Sequence, residues 1–170
     1  PEGSITGLPG GGPSINASGE VAFYGQTTIG PEYFHLGIYK ATATGIMPIA
    51  VTGELFSGGF TGAPSINDQG VVAFKGGLAS GMLGVFKGTG DVTVCVADTS
   101  GPFLNFSGDG TSGTGTPSIN NLGTVAFFGL LKKGNVAVST GDFHGLFSHP
   151  NHAAILESMM LAIGDPDDLF

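Results

Sequence analysis

His144, His149 and His152 fall within nine residues of one another, with Asp142 beside them. Imidazole and carboxylate groups suit a divalent transition metal, so these three histidines are the metal-ligand candidates of the chain. Their spacing is irregular and the segment is loop-like, which favours exposed loop histidines; no metal and no cofactor are expected. The glycine-rich stretch GDGTSGTGT (108–116) lacks the Gly-Lys-Ser/Thr of a phosphate loop, and no long helix follows it. It has too few carboxylates for a calcium loop, and a loop between units is expected there. Cys95 is the only cysteine, so the chain forms no internal disulfide and no thiolate metal centre. Within the apolar run VTVCVA it is expected to be a buried small hydrophobe. Ser14, Ser65 and Ser118 recur at one phase, as a catalytic nucleophile would not, and no Gly-x-Ser-x-Gly occurs. No general acid or base can be named without a cleft of distinct residues, and the chain is expected not to be an enzyme. Asn16-Ala-Ser and Asn105-Phe-Ser are formal N-glycosylation acceptors.

Composition narrows the partners. The chain has 170 residues, five lysines, no arginine and 13 Asp plus Glu, for a net charge of −8. The only adjacent basic pair is Lys132-Lys133, so neither nucleic acid nor an anionic membrane surface is an expected partner. No run of eighteen apolar residues is present, and no membrane insertion is expected. The 32 glycines follow no three-residue period, which excludes collagen and fits a β-protein with many tight turns. The chain opens at Pro1 rather than Met, and an upstream segment is expected.

The elements that position these residues repeat. PSINASGEVAF begins at Pro13, PSINDQGVVAF at Pro64 and PSINNLGTVAF at Pro117. Each unit has four short apolar pieces bounded by Gly, Asn, Asp or Pro, as strands are. They are Pro-Ser-Ile-Asn; then GEVAFYG (19–25), GVVAFKG (70–76) and GTVAFFG (123–129); then LGIYK (36–40), LGVFK (83–87) and HGLFS (144–148); then MPIAVTGE (47–54), VTVCVAD (92–98) and MMLAIGD (159–165). Asn16 and Gly19, Asn67 and Gly70, and Asn120 and Gly123 stand three residues apart. A type I turn wants this pair: the asparagine side chain accepts from backbone two residues on, and glycine takes a positive φ. A structural role is expected for all six. Val21 and Phe23, Val72 and Phe74, and Val125 and Phe127 form the repeated core face. The opposite face keeps Ala22, Ala73 and Ala126, small enough for a second sheet to approach, so this strand is expected to be covered on both sides. The fourth piece ends on Glu54, Asp98 and Asp165, with Glu2 at the matching place before the first unit; a turn or capping role is expected. His35 and His144 occupy similar places before the third piece, again a structural position. In 148–165, local propensity favours helix and the repeat favours strand; at most a turn of helix near 150–156 and then a strand from about 159 are expected.

Four strands per unit of about fifty residues match a propeller blade. The blade motif in PSINDQGVVAFKG…GVFKG resembles that of TolB-type six-bladed β-propellers, except that Ser-Ile-Asn-x-x-Gly replaces the usual bulky aromatic and Ser-Pro-Asp-Gly turn. The three copies resemble more closely the NxxGxxAF tandem repeat of bacterial secreted or surface proteins, the choice-of-anchor proteins. That resemblance spans essentially the whole chain and implies a bacterial, extracellular or cell-surface setting without implying an activity.

The expected fold is therefore all-β: three tandem four-stranded repeats in one domain, 1–170. The units run approximately 13–63, 64–116 and 117–170, with 1–12 completing the loop of a preceding repeat. The repeats are expected to be propeller blades: half of a six-bladed ring, part of a larger propeller, or an open stack. DDLF (167–170) matches GELF (53–56), so two copies could close a ring, or many could stack head to tail. A β-trefoil, also built of three four-stranded repeats, is the alternative. The expected function is a non-catalytic structural repeat protein of a bacterial surface or matrix. Its expected partner is itself, as homo-oligomer or polymer, or further repeats of a longer chain. The alternative is a glycan- or ligand-binding module using Tyr24, Tyr39 and Phe128.

Overall fold

The computed structural model describes residues 5–29, 33–106, 115–132 and 136–140. Each repeat forms its own antiparallel sheet. The first holds β1 (Ile5–Gly7) and β2 (Ser14–Ile15), which both pair with β3 (Val21–Ile29), followed by β4 (Tyr33–Thr42) and β5 (Gly45–Val51). The second runs β6 (Phe60–Ile66), β7 (Val72–Gly77), β8 (Leu83–Gly88) and β9 (Thr93–Asp98). In the third, β10 (Phe103–Asn105) and β11 (Ser118–Ile119) lie on one side of β12 (Val125–Leu131), and β13 (Val136–Thr140) lies on the other. The molecule is thus all-β, with no helix among the described residues. These strands close no barrel of the kind a β-trefoil needs.

The first strand of each sheet begins ahead of Pro-Ser-Ile-Asn. β1, Phe60 and β10 all precede that motif and pair with the strand that follows it. Residues 5–7 therefore belong to the first sheet itself. In sheets one and three this strand is broken; in sheet two it is one strand with a register shift between Thr61 and Ser65.

Val-Ala-Phe strands lie at the centre of each sheet, and their two faces meet different neighbours. β7 is buried at every residue, with Val72, Ala73 and Phe74 all at 0% exposure. Its Val72 and Phe74 side packs with Ala22, Ile38, Ile49 and Ala50 of the first sheet. Its Ala73 side packs with Val125, Phe127 and Leu131 of the third. The three sheets are layered face to face, and β7 is the strand covered on both sides. Val125 and Phe127 are buried, whereas Val21 and Phe23 are half-buried, because no described sheet lies beyond the first. Ala73 is the contact point of two layers, so Ala73→Leu is expected to cost about 1–3 kcal/mol by overpacking. Ala126→Leu, on a half-buried face, is expected to cost less than about 0.5 kcal/mol. Urea midpoints of the two variants check this.

Aromatic rings outside the repeated motif fill the space between layers. Phe56 stands 5.0 Å from Phe86 and 5.3 Å from Phe60, centroid to centroid. Phe103 lies 5.1 Å from Phe106 and 5.6 Å from Phe127. Gly129 permits the second cluster: a Cβ there would sit 2.5 Å from Phe103 Cδ1.

Two details depart from the repeat pattern. The strand that pairs with β12 on the side away from β11 is β13, with Phe127 opposite Ser139, at the place where the repeat pattern expects residues 144–148. The Lys-Lys-Gly-Asn stretch (132–135) precedes Val-Ala-Val-Ser-Thr, so a short hairpin with a β-branched alternating strand closes at lower entropic cost than a longer loop. Residues 144–148, the fourth piece at 159–165 and the 150–156 turn lie outside the described residues. Cys95 is exposed rather than buried. β9 is an edge strand, and a register shift between Val85 and Phe86 places Cys95 opposite Phe86, so alternation within VTVCVA does not set its burial.

Candidate functional site: the turn ladder between repeats

The asparagine of each Pro-Ser-Ile-Asn organises its own turn. Asn67 Oδ1 accepts from Gln69 N at 3.1 Å and from Val71 N at 2.9 Å. Asn16 Oδ1 does the same for Ser18 and Glu20, and Asn120 Oδ1 for Leu122 and Thr124. Gly19, Gly70 and Gly123 close the turns at φ values of 78°, 74° and 81°, which a side chain would strain. The six turn residues do occupy equivalent turns.

The sequence did not reveal that these turns are also joined to one another. Asn16 Nδ2 donates to Asn67 O at 3.0 Å, and Asn67 Nδ2 donates to Asn120 O at 2.9 Å. Ile66 N donates to Ser14 Oγ at 3.3 Å, and Ile119 N to Ser65 Oγ at 3.2 Å. Ala17 N donates to Asp68 Oδ1 at 2.9 Å, and Asp68 N to Asn121 Oδ1 at 3.0 Å. Lys40 Nζ reaches Gly70 O at 3.2 Å, and Lys87 Nζ reaches Gly123 O at 2.7 Å. Four kinds of bond thus appear twice, each joining one repeat to the next, three donated by the earlier repeat and the serine bond by the later one. The serine that recurs at 14, 65 and 118 belongs to this ladder at its first two positions. The available signal was the invariance of the motif in polar as well as apolar positions.

The ladder's charges are fixed by their partners. Asn16, then Lys40 at 3.3 Å, hold the Glu20 carboxyl below its usual value of 4.5. The backbone of Ala17 and the side chain of Asn121 hold Asp68 below 3.8. A depressed carboxylate contributes stability above its unfolded pKa and loses it as pH falls through the folded one. Stability is therefore expected to fall as pH drops below about 4.5, and Asp68→Asn, which keeps an acceptor for Ala17 N, is expected to flatten part of that fall. Urea midpoints from about pH 6 down to about pH 3 check it.

Lys75, at the position of Tyr24 and Phe128, is buried at 4% exposure and donates to Phe106 O at 3.2 Å. Burial pushes its ammonium below the ordinary lysine value.

The other singled-out residues are structural in the fold or stand apart from one another. Asp98 Oδ1 caps the next turn by accepting from Ser100 N at 2.9 Å and from the Ser100 hydroxyl. Glu54 is not its structural equivalent: Thr52 and Thr99 Oγ1 bond the amides of Leu36 and Leu83 alike, which puts Asp98 before that threonine and Glu54 after it. Glu2 and Asp165 lie outside the described residues, as do His144, His149 and His152. No cluster of three metal-ligating side chains occurs among the described residues. His35 Nδ1 lies 2.7 Å from Thr52 O, in a structural position. Asn16 of the first glycosylation sequon is buried, with its amide donating to Glu20 Oε2 and Asn67 O. Partial desolvation at the sheet edge, then the neighbouring Asp98, raise the Cys95 thiol pKa, which disfavours the reactive thiolate. Of the aromatic candidates, Tyr39 is buried on Phe23, Tyr24 packs edge-on to Phe60, and only Phe128 is exposed.

Layered antiparallel sheets joined by an iterated ladder define an all-β tandem-repeat protein. The profile described as Family of unknown function (DUF7453) matches residues 3–158, and the chain belongs to that family. No curated protein and no solved structure matches the chain. No helix among the described residues is long and apolar enough to cross a membrane.

Proposed function

We propose that this chain is a non-catalytic, extracellular structural repeat module of a bacterial surface or matrix, its sheets serving as propeller blades in a ring or an open stack. The observation that carries this reading is the ladder. The most invariant polar groups of the sequence are spent on joining one repeat to the next, not on lining a cleft. Nearest-neighbour joints of this kind are how repeat proteins gain stability. The resemblance to choice-of-anchor repeats supports the extracellular setting. The aromatics a glycan module would need are mostly packing residues.

Two measurements test this. Surface proteolysis of the producing cell, followed by immunodetection, is expected to remove the protein from intact cells, and protection from protease would overturn the extracellular assignment. A glycan array is expected to be silent, and a specific, saturable hit would replace the structural reading with the binding one.

A further inference from the structure

Resting on that structural reading, we infer that the outward face of the first sheet receives the third sheet of a second copy of this chain, head to tail. The face presents interface positions without their cover. Ile15 is 69% exposed, whereas Ile66 is 7% and Ile119 packs into the second cluster. Pro13 is exposed, whereas Pro64 and Pro117 are among the fully buried side chains. Leu8, one residue past β1 as Phe106 is one past β10, is 71% exposed against 4% for Phe106. Inside the chain, the preceding sheet covers these positions.

The polar groups left at the two ends are complementary. Among the described residues, Asn16 O accepts only Gly19 N, whereas Asn67 O accepts both Gly70 N and Asn16 Nδ2. At the other end, Asn120 Nδ2 has no partner among the described residues, and Phe128 is 44% exposed on the far face. Asn120 of one copy therefore matches Asn16 O of the next, as Ser118 matches the amide of Ile15. The Asn16 and Asn67 amides donate toward the next repeat, whereas Ser14 and Ser65 accept from its backbone and Asn121 Nδ2 donates back to Asp68, so the two ends offer different, complementary sets of donors and acceptors. Two like faces cannot pair this way, and the joint is heterologous.

Two rungs are missing from such a joint. Lys40 and Lys87 stand opposite Ala22 and Ala73, but Thr140 stands opposite Ala126. Asp68 and Asn121 supply acceptors to the preceding turn, but Ala17 has none to offer. The joint between copies is thus weaker than the joints within one chain, and copies separate on dilution while each stays folded.

Sedimentation velocity on the wild-type chain, under reductant because Cys95 is exposed, is expected to show mass rising with concentration. Ile15→Asp, at an exposed site, is expected to keep the circular dichroism and melting temperature of the wild type and to weaken association at least tenfold. Ala17→Asn restores a missing rung and is expected to tighten association about fivefold, as one added hydrogen bond would. A wild-type chain that stays monomeric up to about 100 μM, or an association that neither variant changes, overturns the joint. Either result leaves the structural reading to its own two tests, cell-surface exposure and the glycan array.

Discussion

Phe74→Ala is expected to destabilise the chain by about 3–5 kcal/mol, the range for removing a fully buried phenylalanine. Phe74 is at 0% exposure, and its ring lies 5.8 Å from those of Phe56 and Phe60 and 5.7 Å from that of Phe86. Removing it opens a cavity walled by three rings and by Ile38 and Ala50 of the neighbouring sheet. Both the second sheet and its joint to the first lose their filling, and neither can collapse without moving the backbone. The same substitution at Phe23 is expected to cost about 1–2 kcal/mol, because that ring is half-buried. Urea unfolding of the pair measures the difference. Equal costs at the two sites would mean that the sheets are not layered as described.

Asn67→Ala is the second large effect, at about 3 kcal/mol. It orphans the amides of Gln69 and Val71 and removes the donor to Asn120 O. Asn67 is 3% exposed, so water does not replace these bonds, and each contributes about 1 kcal/mol. Asn120→Ala removes only bonds within its own turn, to Leu122 and Thr124, at an exposed position. Its expected cost is about 1 kcal/mol. The difference between the two variants isolates burial and the cross-repeat bond together. In a chain of this size it corresponds to a melting temperature about 4–8 °C lower for Asn67→Ala than for Asn120→Ala.

Much of the local structure was legible in the sequence because it is fixed by local physics. Asn and Gly three residues apart define a turn whatever surrounds it, and Val-Ala-Phe between glycines defines a strand. The small Ala22, Ala73 and Ala126 announced a strand covered on both faces in every repeat, and among the described strands β7 alone is covered so, while β3 and β12 each keep one open face. What failed was extrapolation by phase. Glu54 and Asp98 both end their pieces but sit on opposite sides of the threonine that anchors the turn. Val136–Thr140 takes the place beside β12 because a short hairpin outcompetes a distant copy of the motif. Phe56, Phe60, Phe103 and Phe106 escaped notice because their spacing changes from four residues to three, so no fixed period marks them.

The sequence by itself determined the unit: an antiparallel sheet whose first turn is Asn-x-x-Gly, made three times. Backbone geometry and hydrophobic alternation act within a few residues, so a chain of letters carries them. Only the tertiary structure decided what the repetition is for. Ser14, Asn16 and Lys40 bond to groups 30 to 52 residues away, and no local preference encodes such partners. The same holds for the exposure of Cys95 and Ile15, which depends on whether a strand lies at a sheet edge and a sheet at the end of the layers. Burial is a property of what arrives from elsewhere in the chain, and three nearly identical motifs acquire three different surroundings.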